Sequence, residues 1–224
     1  MMRLAAVKPL VPVFISLTIT AACLFASARR LDWWNAWVLL GLSLVAGLAF
    51  TVGRSPELTA ERHNIKAGKI WDKVIVSITV LFGPAAMWIT AGLDDRFHWS
   101  SRVFFLAAQI GVVVALLSTA LIAWAMRSNR FFSSVVRIQK DRGHRVVAGG
   151  PYRFIRHPGY AGMSAFMLAT PLILGSCWAF APAAVTVAIN ALRTALEDRT
   201  LHDELEGYTK YAGRVRYKLL PGIW

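Results

Sequence analysis

Four long apolar stretches, at residues 10–28, 34–52, 74–91 and 103–126, constrain this chain more than anything else in it. Each approaches the roughly 20 residues that a helix needs to cross a bilayer, where every backbone N–H and C=O must find a partner inside the protein. A fifth apolar region, residues 160–196, is long enough for two passes, and Pro171, Gly175 and Pro182 break it near the middle. No charged residue separates Arg156 from Arg193, so this region reads as a helical hairpin turning at the far interface. The expected fold is an all-α, polytopic transmembrane helix bundle: four N-terminal spans plus the hairpin, six segments with a short last one. Composition agrees, since 56% apolar residues and nine Trp are too much for a soluble domain of 224 residues.

The first span also resembles a secretory signal, with Arg3 and Lys8 before it and Ala26-Ser27-Ala28 at its end. It is longer than a signal core, so a retained helix is expected.

A formal net charge of +13 invites a nucleic-acid partner, but the cations sit in short loops between apolar runs rather than along one soluble face. No nucleic acid is therefore expected. With the N-terminus inside, 21 of the 25 Lys and Arg fall on one side of the membrane and only Arg29, Arg30, Arg96 and Arg102 on the other. Positive charge marks the cytoplasmic side, so the loop 127–157 and the C-terminal tail are expected there. Cys23 and Cys177 both lie in apolar runs and provide neither a disulfide framework nor zinc spacing, so no metal site is expected.

The chain divides at residue 126 into a four-helix transmembrane region, 1–126, and a motif-bearing region, 127–224. In the second, Gly149-Gly150-Pro151 is a backbone device, and Arg153, Arg156, His157 and Tyr160 follow at the mouth of a membrane helix. A positively charged anchor with a turn is one reading; a pocket for an anionic small molecule is the other. Further on, Asn190, Arg193, Glu197 and Asp198 enter the last apolar pass. Arg193 and Glu197 are four residues apart on one helix face, which a plain ion pair would explain. Ionisable groups in membrane segments, however, usually face the bundle interior and mark function.

Through Gly150, Tyr152, Arg156, His157, Pro158 and Tyr160, followed by Glu197, Asp198 and Leu201, the chain resembles the isoprenylcysteine carboxyl methyltransferases and their bacterial relatives in the phospholipid methyltransferase superfamily. The resemblance covers residues 127–224; the first four spans carry hydropathy alone. Asp198 stands where that family commonly has a second Glu.

The resemblance implies a membrane methyltransferase using S-adenosyl-L-methionine in a cytoplasm-facing cofactor pocket, with residues 127–224 as the catalytic region. His144, Arg145, Val146, Val147, Gly150, Tyr152, His157, Pro158, Gly159, Tyr160 and Glu197 would border the cofactor. Arg137 and Gln139 compete for one further place, and Gln139 is chosen. Arg193 would clamp the carboxylate of a lipophilic small-molecule or prenylated acceptor drawn from the membrane lipid phase. A phospholipid N-methyltransferase, an NADPH-dependent sterol-type reductase and a non-enzymatic membrane scaffold remain as alternatives. Methyl transfer from a sulfonium to a carboxylate cancels opposite charges and needs no general base, which suits a water-poor site.

Overall fold

The computed structural model describes residues 10–51, 56–64, 68–100 and 105–224, and every regular element among them is helical. Helix α1 (Val11–Ala28) and α2 (Trp34–Thr51) are followed by a short surface helix α3 (Pro56–His63). Next, α4 (Ile70–Ser77) runs through a π-helical turn, Ile78–Phe82, into α5 (Gly83–Phe97), and α6 (Phe105–Ser128) completes the N-terminal set. The hairpin is α7 (Pro158–Leu174) and α8 (Phe180–Glu204), with α9 (Tyr208–Arg214) in the tail. Residue 103, at the start of the fourth expected span, and the cations Arg3, Lys8, Arg54, Lys66 and Arg102 lie outside the described residues.

Four helical runs are long and apolar enough to cross a membrane: Val11–Ala28, Trp34–Thr51, Ile70–Phe97 and Leu106–Ser128. The chain is an integral membrane protein with the all-α architecture its hydropathy requires. Two details differ from expectation. The third span is 28 residues, not 18, because α4 begins before Asp72. The last helix is not short: α8 has 25 residues and is the longest described. It stays helical past the apolar run because Asn190, Arg193 and Asp198 find partners on other elements.

Local chemistry explains the hairpin. Pro158 opens α7 at its first turn, where a missing N–H costs nothing. Gly175 closes it in the left-handed conformation, φ 72°, and donates its N–H to Leu172 O. In the middle of α7, small residues bring backbones close: a Cβ on Gly162 would lie 2.6 Å from Ile122 Cγ1 of α6, and one on Gly111 of α6 would lie 2.9 Å from Leu172 Cβ. Lipid tails are as apolar as the helices, so such close packing, rather than a hydrophobic drive, holds α6 on α7. A buried core of Leu24, Leu39, Met87, Ala115, Ala169 and Ile173 joins α1, α2, α5, α6 and α7.

Two polar zones cap the bundle at opposite ends. At one, Asp94 of α5 meets Ser176 of the hairpin turn. At the other, Lys69 beside α4 pairs with Glu204 at the end of α8. The loop 129–157 and the tail lie at this second end, packed on the start of α7 and the end of α8.

A candidate active-site cavity at the loop end of the hairpin

The loop after α6 is ordered by its own side chains. Asn129 Oδ1 accepts from Phe131 N at 2.8 Å, an Asx turn that reverses the chain. Gln139 is fully buried; its Nε2 donates to Phe131 O at 2.7 Å and its Oε1 accepts from Arg142. His144 Nδ1 accepts from Gln139 N, and burial, helped by Arg137 and Arg142, lowers the imidazole pKa to about 4. Gly150 takes φ 58° where a Cβ would strike Ser128, so the Gly-Pro turn is required by both conformation and space.

Asp198 is the centre of a buried cluster. Arg156 Nε lies 2.9 Å from its Oδ1, and Arg156 Nη2 donates to Oδ2 at 3.1 Å. His157 Nε2 is 3.1 Å from Oδ1, Tyr208 Oη donates to Oδ1 at 2.8 Å, and Lys218 Nζ stands 3.5 Å from Oδ2. The tail also grips this loop through its backbone, since Arg156 N and His157 N donate to Tyr217 O and Lys218 O, both at 2.9 Å. Tyr211, its phenol pushed up to about 12 by burial, donates to Tyr152 O at 2.6 Å.

Glu197, one residue earlier, has a different environment. It accepts from Tyr160 Oη at 2.5 Å and lines a cavity of about 520 Å3. Val136, Arg137, His144, Arg145, Val146 and Val147 of the loop line the same cavity, as do Tyr152, His157, Gly159, Tyr160 and Arg193. Its apolar part includes Pro12 of α1, Val76 of α4, Val80 of the π turn, Phe132 and Met163. Residues before 127 therefore form part of its wall.

Nine of the twelve residues expected around the cofactor converge on this cavity: His144, Arg145, Val146, Val147, Tyr152, His157, Gly159, Tyr160 and Glu197. Gln139, Gly150 and Pro158 do not line it; Gln139 and Gly150 shape the loop, and Pro158 starts the helix. Of the two competing positions it is Arg137 that reaches the wall, where Glu61 holds its Nε and Nη2 at 2.8 and 2.6 Å. Asn190 bonds Ser164 of α7 at 2.8 Å and its Oδ1 is buried without a partner among the described residues.

Arg193 lines the cavity, but its ion pair is not with Glu197. Asp72 of α4, fully buried, receives Arg193 Nε at 2.7 Å and Nη2 at 3.2 Å. Nη2 also donates to Ser134 O at 2.9 Å, and the guanidinium carbon sits 5.1 Å from the centre of the Tyr160 ring. The fork that would grip a carboxylate is thus already engaged. Sequence reasoning missed Asp72 because it began the third span at residue 74, and it missed Glu61, which lies in the short helix α3. The available signal was an acid at the mouth of an otherwise uncharged apolar run, which must be paired to be buried.

The family model described as phospholipid methyltransferase matches residues 106–205. Over 74 residues the chain is 27% identical to a probable protein-S-isoprenylcysteine O-methyltransferase of Oryza sativa subsp. indica, and equally to that of subsp. japonica. Those alignments cover 33% of this chain and 39% of the rice proteins. Among solved structures, a eukaryotic intramembrane Ras methyltransferase, an isoprenylcysteine carboxyl methyltransferase, has the same fold, with a TM-score of 0.52 and 17% identity over 97% of this chain and 86% of that one. The suspected likeness to the isoprenylcysteine carboxyl methyltransferase family thus agrees with the family model, the curated relatives and the fold.

Proposed function

We propose that this protein is an S-adenosyl-L-methionine-dependent membrane methyltransferase that methylates the carboxylate of a lipophilic acceptor. The observation that carries the reading is the cavity in which Glu197, Tyr160 and Arg193 meet, mainly apolar with a cluster of polar groups, within the segment resembling phospholipid methyltransferases. Its volume, about 520 Å3, lies in the range of about 300 to 1,000 Å3 usual for small-molecule sites.

The residues suit the donor. Among the described residues Glu197 hydrogen-bonds only to the Tyr160 hydroxyl, which leaves acceptor capacity for an ammonium or ribose hydroxyls. His144, kept neutral, and the apolar Val146 and Val147 offer a wall for an adenine ring. When bound, S-adenosylmethionine supplies an electrophilic methyl group on a sulfonium centre. The protein's own work is positioning, bringing the acceptor oxygen and the methyl carbon to about 3 to 3.5 Å while excluding water. With that donor held by Glu197 and the loop wall, the acceptor oxygen would displace the sulfur from the methyl carbon, the C–S electron pair leaving with sulfur, and none of these residues would have to move a proton. Arg193 offers donors, which favour an oxygen nucleophile over an amine. The apolar wall from Pro12 to Met163 suits a lipid tail and supports a prenylated or similar membrane-borne acid as the acceptor. By the charge asymmetry the cavity opens to the cytoplasm, and residues 127–224 form its catalytic region.

The family model's description favours a second reading, transfer to a phospholipid amine. Calorimetry of the detergent-purified protein with S-adenosylmethionine, S-adenosylhomocysteine and NADPH tests the cofactor; binding of NADPH alone, or of none of them, rejects the proposal. Methylation of a farnesylated thioether acid but not of phosphatidylethanolamine separates the two acceptors. A C-terminal reporter active only outside the cytoplasm rejects the orientation.

A further inference from the structure

We infer that Asp72 is a positioning residue for methyl transfer, which fixes Arg193 so that only its Nη1 hydrogens remain for the acceptor. This rests on the carboxyl methyltransferase reading above. A guanidinium has five N–H groups in a planar fork. Here Nε–H goes to Asp72 Oδ1, and the two hydrogens of Nη2 go to Asp72 Oδ2 and Ser134 O. The plane is fixed from below by the Tyr160 ring. Asp72 is itself fixed: it lies in the first turn of α4, and its Oδ2 also accepts from Val136 N at 2.7 Å. Nothing in this set can rotate without breaking a buried, charge-assisted bond.

Two consequences follow for an acceptor entering beside Arg193. The Asp72–Arg193 pair is neutral as a unit, so it does not trap a carboxylate as a bare buried cation would. Nη1 alone holds the acceptor by one oxygen, leaving the other free to attack the methyl carbon. Two-point binding on the Nε and Nη2 edge would tie both oxygens and lower their nucleophilicity. Asp72 thus trades acceptor affinity for a free nucleophile, which is the direction that raises turnover.

The test is steady-state kinetics of the full-length, detergent-purified enzyme with a farnesylated thioether acid as acceptor. Asp72→Asn removes the counter-charge and leaves Arg193 more strongly attractive. It is expected to lower KM for the acid by about tenfold and kcat by about tenfold or more, with S-adenosylhomocysteine affinity within about threefold. In equilibrium binding, the variant should gain affinity for the acid but not for its methyl ester. Should Asp72→Asn fail to fold, Asp72→Glu keeps the charge but displaces the guanidinium; it should lower kcat by about tenfold with little change in KM. A stability role alone would lower the folded yield and leave KM and kcat per folded molecule unchanged, and that result in either variant overturns the inference. Wild-type protein that binds no S-adenosylhomocysteine removes the enzyme reading, and this inference with it. Wild-type turnover with unaltered variants rejects only the role of Asp72.

Discussion

Both ends of the helix bundle bury carboxylates, but they satisfy them differently. At the hairpin turn, Asp94 accepts from Ser100 N at 2.7 Å, Ser100 Oγ at 2.6 Å and Ser176 Oγ at 2.5 Å. All three donors are neutral, and Asp94 is 3% exposed, with no part in the cavity wall. At the loop end, Asp72, Asp198 and Glu61 each hold an arginine, whereas Glu197 faces a cavity with one phenol beside it. The hairpin-turn end is a closed clasp between α5 and the hairpin. The loop end combines closed clasps with one acid whose bonding capacity is left for something else. Neighbouring acids on one helix therefore differ in surroundings: Asp198 is enclosed by charged partners, and Glu197 lines the cavity.

Replacing Asp198 should produce the largest effect. Asp198→Asn leaves Arg156 buried with its counter-charge removed, and losing one member of a buried pair costs about 3 to 5 kcal/mol. Detergent-solubilised protein should show a large fall in unfolding temperature and in folded yield. A stable variant that merely loses cofactor affinity would dissolve the distinction between the two acids.

Glu197→Gln is expected to do the opposite: keep the fold while weakening S-adenosylhomocysteine by roughly tenfold to a hundredfold, the worth of a charged hydrogen bond at about 1.5 to 3 kcal/mol. Calorimetry on the same preparation reads it. Unchanged affinity would place Glu197 among the structural acids.

At the hairpin-turn clasp, Asp94→Asn keeps an acceptor and loses only charge assistance, so about 1 kcal/mol of stability should go. Binding of S-adenosylhomocysteine should be unaltered, and a parallel fall in binding would couple the two ends.

A separate effect is expected on pH dependence. His144 is held neutral, its pKa lowered from 6.5 to about 4, mainly by burial. Below pH 6.5 the unfolded chain takes up the proton first, so the stability contributed by the neutral ring is full above that pH and is lost as pH falls through about 4. The slope of unfolding temperature against pH between 4 and 6.5 should flatten in His144→Gln; an identical slope would mean that the ring is solvated.

Helix existence was legible wherever hydropathy ran long, because bilayer thickness sets the length of a span whatever its neighbours are. Boundaries failed where a charge sat near an end. The third span was cut at residue 74 because Lys73 and Asp72 looked like loop, although Asp72 is buried against Arg193. The last helix, expected to be short, runs for 25 residues, because partners on α4, α7 and the tail keep Arg193, Glu197 and Asp198 helical.

The sequence by itself determined a membrane-embedded helical protein, a hairpin broken at Gly175, and a motif whose residues largely converge on one cavity. Those properties follow from segment length, backbone conformation and local spacing, which need no knowledge of what packs where. Only the tertiary structure decided that Arg193 answers to Asp72, 121 residues away, and that Glu197 and Asp198 point into different surroundings. The reason is physical: a buried charge is compensated by whichever opposite charge the fold brings within about 3 to 4 Å, and chain distance does not enter that interaction.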